Sequence, residues 1–233
     1  MSRRPRIGVI SFPGTCDDRD ALRAVELAGG EAVALWHGDA DLGACSGVIV
    51  PGGFSYGDYL RAGAIARFAP IMREVEAFAA AGGPVLGICN GFQVLCEAGL
   101  LPGVLRPNHH GRFVCRDVDL VVQRAGSPWL AGLAPGDVLR VPVKHHDGAW
   151  YAPPAEHERV ESAGQVALRY AENPNGALAD VACVTSEAGN VCGLMPHPEH
   201  AMDELLGPVG GRPLLHGLVA LAKARRNAVA VPA

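Results

Sequence analysis

A chain of 233 residues, 49% of them hydrophobic, can bury the core of one large α/β domain. Its formal net charge of −4, with no basic stripe, argues against a nucleic-acid partner, and no run reaches the ~20 apolar residues of a membrane span. Seven cysteines, an odd number without a CxxC pair, fit a reducing cytoplasm better than a disulfide framework or a zinc knuckle.

The basic start followed by "RIGVISF" (6–12) imitates a signal peptide, but the apolar run is short and Pro13-Gly14 closes it, so it reads as a first buried strand. Residues 17–29 carry acids first, apolar residues at helical spacing and Gly29 last, the signature of a helix. "EAVALWH" (31–37) and "SGVIVPGG" (46–53) are the next strands, the latter ending in two glycines. Residues 60–82 read as an amphipathic helix, "GPVLGIC" (83–89) as a fourth strand and residues 90–101 as another helix. Beyond residue 110 the segments 113–123, 137–145, 165–171 and 181–196 read as strands without helices between them, the last folded back at "EAGN". Residues 213–226 form a closing helix, with Lys223, Arg225 and Arg226 at its cation-favouring end. Alternating strands and helices followed by strands alone predict a flavodoxin-like, doubly wound, mostly parallel α/β sheet flanked by helices. An antiparallel extension occupies its C-terminal half, and residues 1–233 form a single domain. Ligands of such sheets sit at the strand C-terminal edge, where "PGG" and "ICN" lie.

Three stretches carry chemistry. In "GICNG" (87–91), glycines flank Cys89 at a strand-to-helix turn. That is the nucleophile-elbow pattern with cysteine in the serine position. The positive end of a helix dipole lies beneath the thiol, and the Asn90 N–H is an oxyanion donor. A buried cysteine in a plain βα turn fits the pentapeptide equally well. "MPHPEH" offers His197 as a base, with Glu199 two residues on. In an extended segment imposed by Pro196 and Pro198 both face one side, so Glu199 can orient the imidazole. "PGGFSYGDYLRAGAIA" (51–66) is neither a P-loop nor a dinucleotide fingerprint, and suits a backbone nest for an oxyanion or carboxylate, with a plain tight turn as the alternative. The pairs His109-His110 and His145-His146 and the His197-x-x-His200 spacing lack a proper third ligand, so no metal site is expected and surface or partner contacts are.

Together these stretches resemble the class I, triad-type glutamine amidotransferases. "PGGFSYGDYLRAGAIARFAPIM" is similar, more narrowly, to the stand-alone glutaminase subunits of phosphoribosylformylglycinamidine synthases of purine biosynthesis. The resemblance runs from about residue 6 to 222. It implies Cys89 as nucleophile, His197 as general base and acid, and Glu199 as its orienting partner. It also implies an oxyanion hole from Gly53 and Asn90 and substrate contacts at Gly52 and Gln93. The substrate is then L-glutamine, hydrolysed through a thioester, with ammonia passed to a large synthetase subunit that binds ATP, Mg²⁺ and formylglycinamide ribonucleotide. A small third subunit completes the assembly, and no cofactor is expected on this chain. The lone chain is expected to be poorly active until a partner orders the loop near Gly53.

Three departures from the family pattern are expected to alter partner-facing or gating contacts and to leave the triad untouched. They are "FPGTCDD" in the N-terminal loop, "VPVKHHDGAWY" (141–151) and His200, where an arginine is usual. Two rival readings remain: a free-standing cysteine hydrolase or peptidase on the same scaffold, and a non-catalytic assembly module.

Overall fold

The computed structural model describes residues 4–229. Eleven strands are found among them: β1 Arg6–Ser11, β2 Glu31–Trp36, β3 Gly47–Val50, β4 Val85–Ile88, β5 Val104–Pro107, β6 Val114–Val122, β7 Val138–His145, β8 Asp147–Tyr151, β9 Val166–Tyr170, β10 Val181–Thr185 and β11 Val191–Leu194. The helices are α1 Asp18–Leu27, α2 Pro70–Ala80, α3 Asn90–Glu97, α4 Pro154–Ser162 and α5 Arg212–Val229. Nine strands form one sheet in the order β2-β1-β3-β4-β11-β10-β9-β6-β7, and β5 pairs with β8 apart from it. From β2 to β11 the pairing is parallel, in the flavodoxin-like order. From β11 to β7 it is antiparallel. β3, β4 and β11 are buried along their whole length, as continuous apolar runs between two helical layers must be. α1 and α5 pack on the β1 side of the parallel half, while α3 packs on β3, β4 and β11. No helix among the described residues is long and apolar enough to cross a membrane.

Two expectations need correction. Residues 60–69 are not part of the helix that follows. Leu60 and Gly63 have positive φ, and a 3₁₀ turn at Ala66–Phe68 precedes Ala69, whose extended conformation (φ −61°, ψ 143°) is what Pro70 demands of its neighbour. A Cβ at Gly63 would lie 2.7 Å from the Val94 backbone nitrogen, so this segment lies against α3 instead of coiling. The C-terminal half also holds a helix between strands, α4. It buries only Val160, too thin an apolar stripe to register as helical periodicity.

Candidate active site

Four loops meet at the C-terminal edge of the parallel strands: 12–17 after β1, 51–58 after β3, the turn at Cys89 after β4, and 195–200 after β11. The end of β7 joins them through the His197 N–H, which donates to the Pro142 carbonyl at 2.8 Å. These loops enclose a cavity of about 260 Å³ lined by Cys89, His197, Gly53, Gln93, Asp58 and Lys144, among others.

Cys89 has φ 50° and ψ −105°, a strained backbone at the junction of β4 and α3, as the elbow pattern requires. The flanking glycines are explained by contact. A Cβ at Gly91 would collide with the Val50 carbonyl, and one at Gly87 would lie 2.8 Å from the Gly91 oxygen. The Cys89 thiol lies 3.7 Å from the Lys144 carbonyl. His197 is fully enclosed, and its Nδ1 lies 2.6 Å from Glu199 Oε1. Its Nε2 is buried with no hydrogen bond, and Cys89 is a close charge neighbour of the ring. Burial alone would disfavour the imidazolium, but Glu199 and Cys89 outweigh it and raise the His197 pKa to about 10.

The route to this pairing differs from the one expected. His197 is extended (φ −106°, ψ 86°), but Pro198–His200 forms a single 3₁₀ turn. That turn, and not alternation along an extended segment, brings the carboxylate under the ring.

Gly53 sits at φ 146°, bridged to Thr15, where a Cβ would press on the Cys16 nitrogen and the Gly14 carbonyl at 2.6 Å. Gly52 does not line the cavity; its carbonyl accepts from the Cys16 and Asp17 N–H groups. As the first residue of α3, Asn90 has no helical acceptor for its N–H. Its side chain does work that the sequence did not suggest. Oδ1 accepts from the Ser55 N–H at 3.0 Å, while Nδ2 donates to Asp58 Oδ1 at 3.1 Å and Gln93 Oε1 at 2.8 Å. One amide thus ties the glycine-rich loop to the helix behind Cys89. Gln93 lines the cavity and donates through Nε2 to the Asp147 carbonyl at 2.5 Å. Burial, aided by Asp147 and opposed by the Asn90 hydrogen bond, pushes the Asp58 carboxyl up to about 6.

Two further expectations change. His145 is not a surface residue: it is 3% exposed, lines the cavity, and its Nδ1 lies 3.0 Å from Asn108 Oδ1. Burial and the neighbouring His197 lower its pKa to about 4. The family departures also reach His197, Glu199 and Cys89. Asp17 Oδ2 lies 3.7 Å from His197 Nδ1, His200 Nε2 lies 3.6 Å from Glu199 Oε1, and the Lys144 carbonyl is the Cys89 neighbour already described. Proximity of residues 17, 144 and 200 is invisible along the chain, though an aspartate at a helix start and a lysine in an apolar strand were signals worth following. Asp17, His197, Glu199 and His200 also bring their polar atoms within 4.8 Å of one another, as one network of ion pairs and hydrogen bonds. The Lys144 ammonium already balances Asp17, and Nδ1 of His197 already occupies Glu199 Oε1.

A family model, the CobB/CobQ-like glutamine amidotransferase domain, matches residues 4–212. The phosphoribosylformylglycinamidine synthase subunit PurQ of Rubrobacter xylanophilus is 60% identical over 218 residues, covering 94% of this chain and 99% of that one. The subunit of the same name from Mycobacterium tuberculosis is 57% identical over 203 residues, 87% and 91% of the two chains. The structure of PurLQS from Thermotoga maritima matches with a TM-score of 0.87 at 39% identity, over 94% of this chain and 99% of the matched one. A putative GMP synthase protein from Thermoplasma acidophilum shares the fold, with a TM-score of 0.63 at 16% identity over 98% and 99% of the two chains.

Proposed function

Because this chain belongs to the CobB/CobQ-like glutamine amidotransferase domain family, we propose that it is the glutaminase subunit of a phosphoribosylformylglycinamidine synthase, in keeping with its PurQ relatives. The observation that carries the reading is His197, held at Nδ1 by Glu199 and turned with its unpartnered Nε2 toward the Cys89 cavity. In that place the imidazole takes the thiol proton and holds it as an imidazolium beside the Cys89 thiolate, and the sulfur attacks the side-chain amide carbon of L-glutamine. The backbone N–H groups of Gly53 and Asn90 hold the negative oxygen of the tetrahedral intermediate. His197 then returns the proton to the departing nitrogen, ammonia leaves, and a glutamyl thioester remains on Cys89. A water, deprotonated by the same imidazole, releases glutamate. Asp58 and Asp147 give the cavity an anionic wall suited to the substrate α-ammonium, beside the amide of Gln93.

Ammonia passes to a large synthetase subunit that carries ATP, Mg²⁺ and formylglycinamide ribonucleotide, and a small third subunit completes the complex. The PurLQS match supports this assembly. Phe54, Tyr59 and Leu60, all exposed on the glycine-rich loop, offer the partner an apolar handle, Leu60 at 90% exposure. In the reconstituted complex, Cys89→Ala should abolish glutamine-dependent synthesis and leave ammonia-dependent synthesis intact. A variant that still hydrolysed glutamine at the normal rate would overturn the reading.

A further inference from the structure

Asp17 stands at the N-cap position of α1, yet its side chain makes no capping hydrogen bond. An aspartate there ordinarily accepts from the first helical N–H groups. This one is turned away from its own helix and into the protein, where it is 3% exposed. Oδ1 accepts from Lys144 Nζ at 2.5 Å and lies 3.2 Å from His200 Nε2. Oδ2 faces Nδ1 of His197 at 3.7 Å, too long for a hydrogen bond but well within charge range. The approach is possible because residue 52 is glycine. A Cβ there would collide with Asp17 Oδ2 and lie 2.8 Å from His197 Cε1. The Asp17 N–H donates to the Gly52 carbonyl at 3.3 Å, so the same glycine both admits and anchors the acid.

We propose that Asp17 is a positioning residue for glutamine hydrolysis: a second buried carboxylate behind His197, held by Lys144 and His200, that works with Glu199 to balance the imidazole once it has taken the Cys89 proton. The inference rests on His197 being the proton carrier. A buried charge is tolerated only when paired, and the pairing here is shared. Before proton transfer, Asp17 answers Lys144 and His200; afterwards it also answers the imidazolium. Burial works against its charge, but His200, His197 and Lys144 hold its carboxyl well below the usual carboxylate range, so it stays ionised throughout. The groups facing His197 are Glu199 and His200 from its own turn, Asp17 from the loop before α1, Cys89 from the elbow and His145 from β7, with Lys144 of β7 paired to Asp17 beside them. Among them Asp17 and Lys144 have opposite effects on the imidazolium, so their removal must move its titration in opposite directions.

That opposition is the test. The His197 titration is followed by NMR of ¹³C-histidine-labelled full-length chain, the resonance being assigned by its loss in His197→Gln. The alkaline limb of kcat/KM for glutamine hydrolysis is measured in the reconstituted complex. Asp17→Asn should move both to lower pH by about one unit and reduce kcat about tenfold with KM within about twofold. Lys144→Gln leaves Asp17 unbalanced beside the ring and should move both upward. Asp17→Glu should recover part of the Asn loss. Shifts in the same direction, or no shift in either variant, would overturn the proposal. If Asp17→Asn does not fold, the Lys144→Gln arm decides alone, an upward shift supporting the inference and any other result sinking it. The NMR titration needs no turnover, so failure here with an inactive Cys89→Ala enzyme condemns only the role of Asp17. An active Cys89→Ala enzyme condemns the triad reading and this inference with it.

Discussion

The backbone of Cys89, at φ 50° and ψ −105°, stores strain of about 1–3 kcal/mol that the surrounding loops must hold in place. What it gains is direction, because the thiol leaves the sheet edge and enters the cavity beside His197. Glu199 can be tested by itself. Glu199→Gln keeps the size of the side chain but loses the charge that favours the imidazolium, and glutamine turnover should fall by about 10²–10⁴-fold. Circular dichroism should show the fold retained; an unchanged kcat would mean that Glu199 does not orient the base. Asp58 gives a pH signature. Burial pushes its carboxyl up to about 6, so its share of the anionic wall is present above that pH and lost below it. The KM for glutamine should therefore rise as pH falls through about 6, and Asp58→Asn should show a raised, pH-flat KM. A variant with the wild-type profile would remove Asp58 from substrate binding.

Gly91 shows how the elbow, as an element, depends on β3. Its Cα lies so close to the Val50 carbonyl that no Cβ fits. Gly91→Ala must push backbone against backbone in the sheet centre, and should destabilise the protein by about 3 kcal/mol or more, read as a lower denaturation midpoint. Gly29→Ala makes a useful contrast. No atom lies within 4 Å of its Cβ, although its φ of 87° still imposes strain, so its cost should be the smaller. Most elements were legible because buried strands read as continuous apolar runs and helices as 3.6-residue stripes, as in "GVIV" and α1. Residues 60–69 were not, because the backbone at Gly63 lies against α3 while Leu60 and Phe68 stay exposed, so their apolar residues build no helical face. α4 escaped notice for the opposite reason, with one buried residue in nine.

Across the whole molecule, the antiparallel half supplies β7, and β7 delivers Lys144 and His145 to a cavity built by the parallel half. His145 gives the fold a pH dependence. Its pKa is lowered to about 4 in the folded chain, against 6.5 when unfolded, so between those values the unfolded state binds the extra proton. Stability should therefore fall as pH drops from about 6.5 to about 4, by up to about 3 kcal/mol, and His145→Gln should flatten that limb in denaturant titrations. Glutamine hydrolysis should also be slower for the lone chain than for the complex, since the exposed loop around Leu60 carries Gly53 and Asp58. Equal rates with and without the synthetase subunit would exclude gating by that loop.

The sequence by itself determined the glycine frame of Cys89, the proline-framed His197 with Glu199 two residues on, and the alternation of strands and helices in the parallel half. Those are local matters of glycine spacing, proline-framed histidine and apolar runs, each written within a few residues. Only the tertiary structure decided that Cys89 and His197 meet across 108 positions, that the Asn90 side chain fastens the glycine-rich loop, and that Asp17, with Lys144 and His200 on it, stands beside His197. The reason is physical. Charge partners within 4 Å are chosen by which loops the sheet brings to one edge, and loops more than a hundred residues apart leave no periodicity by which one could announce the other.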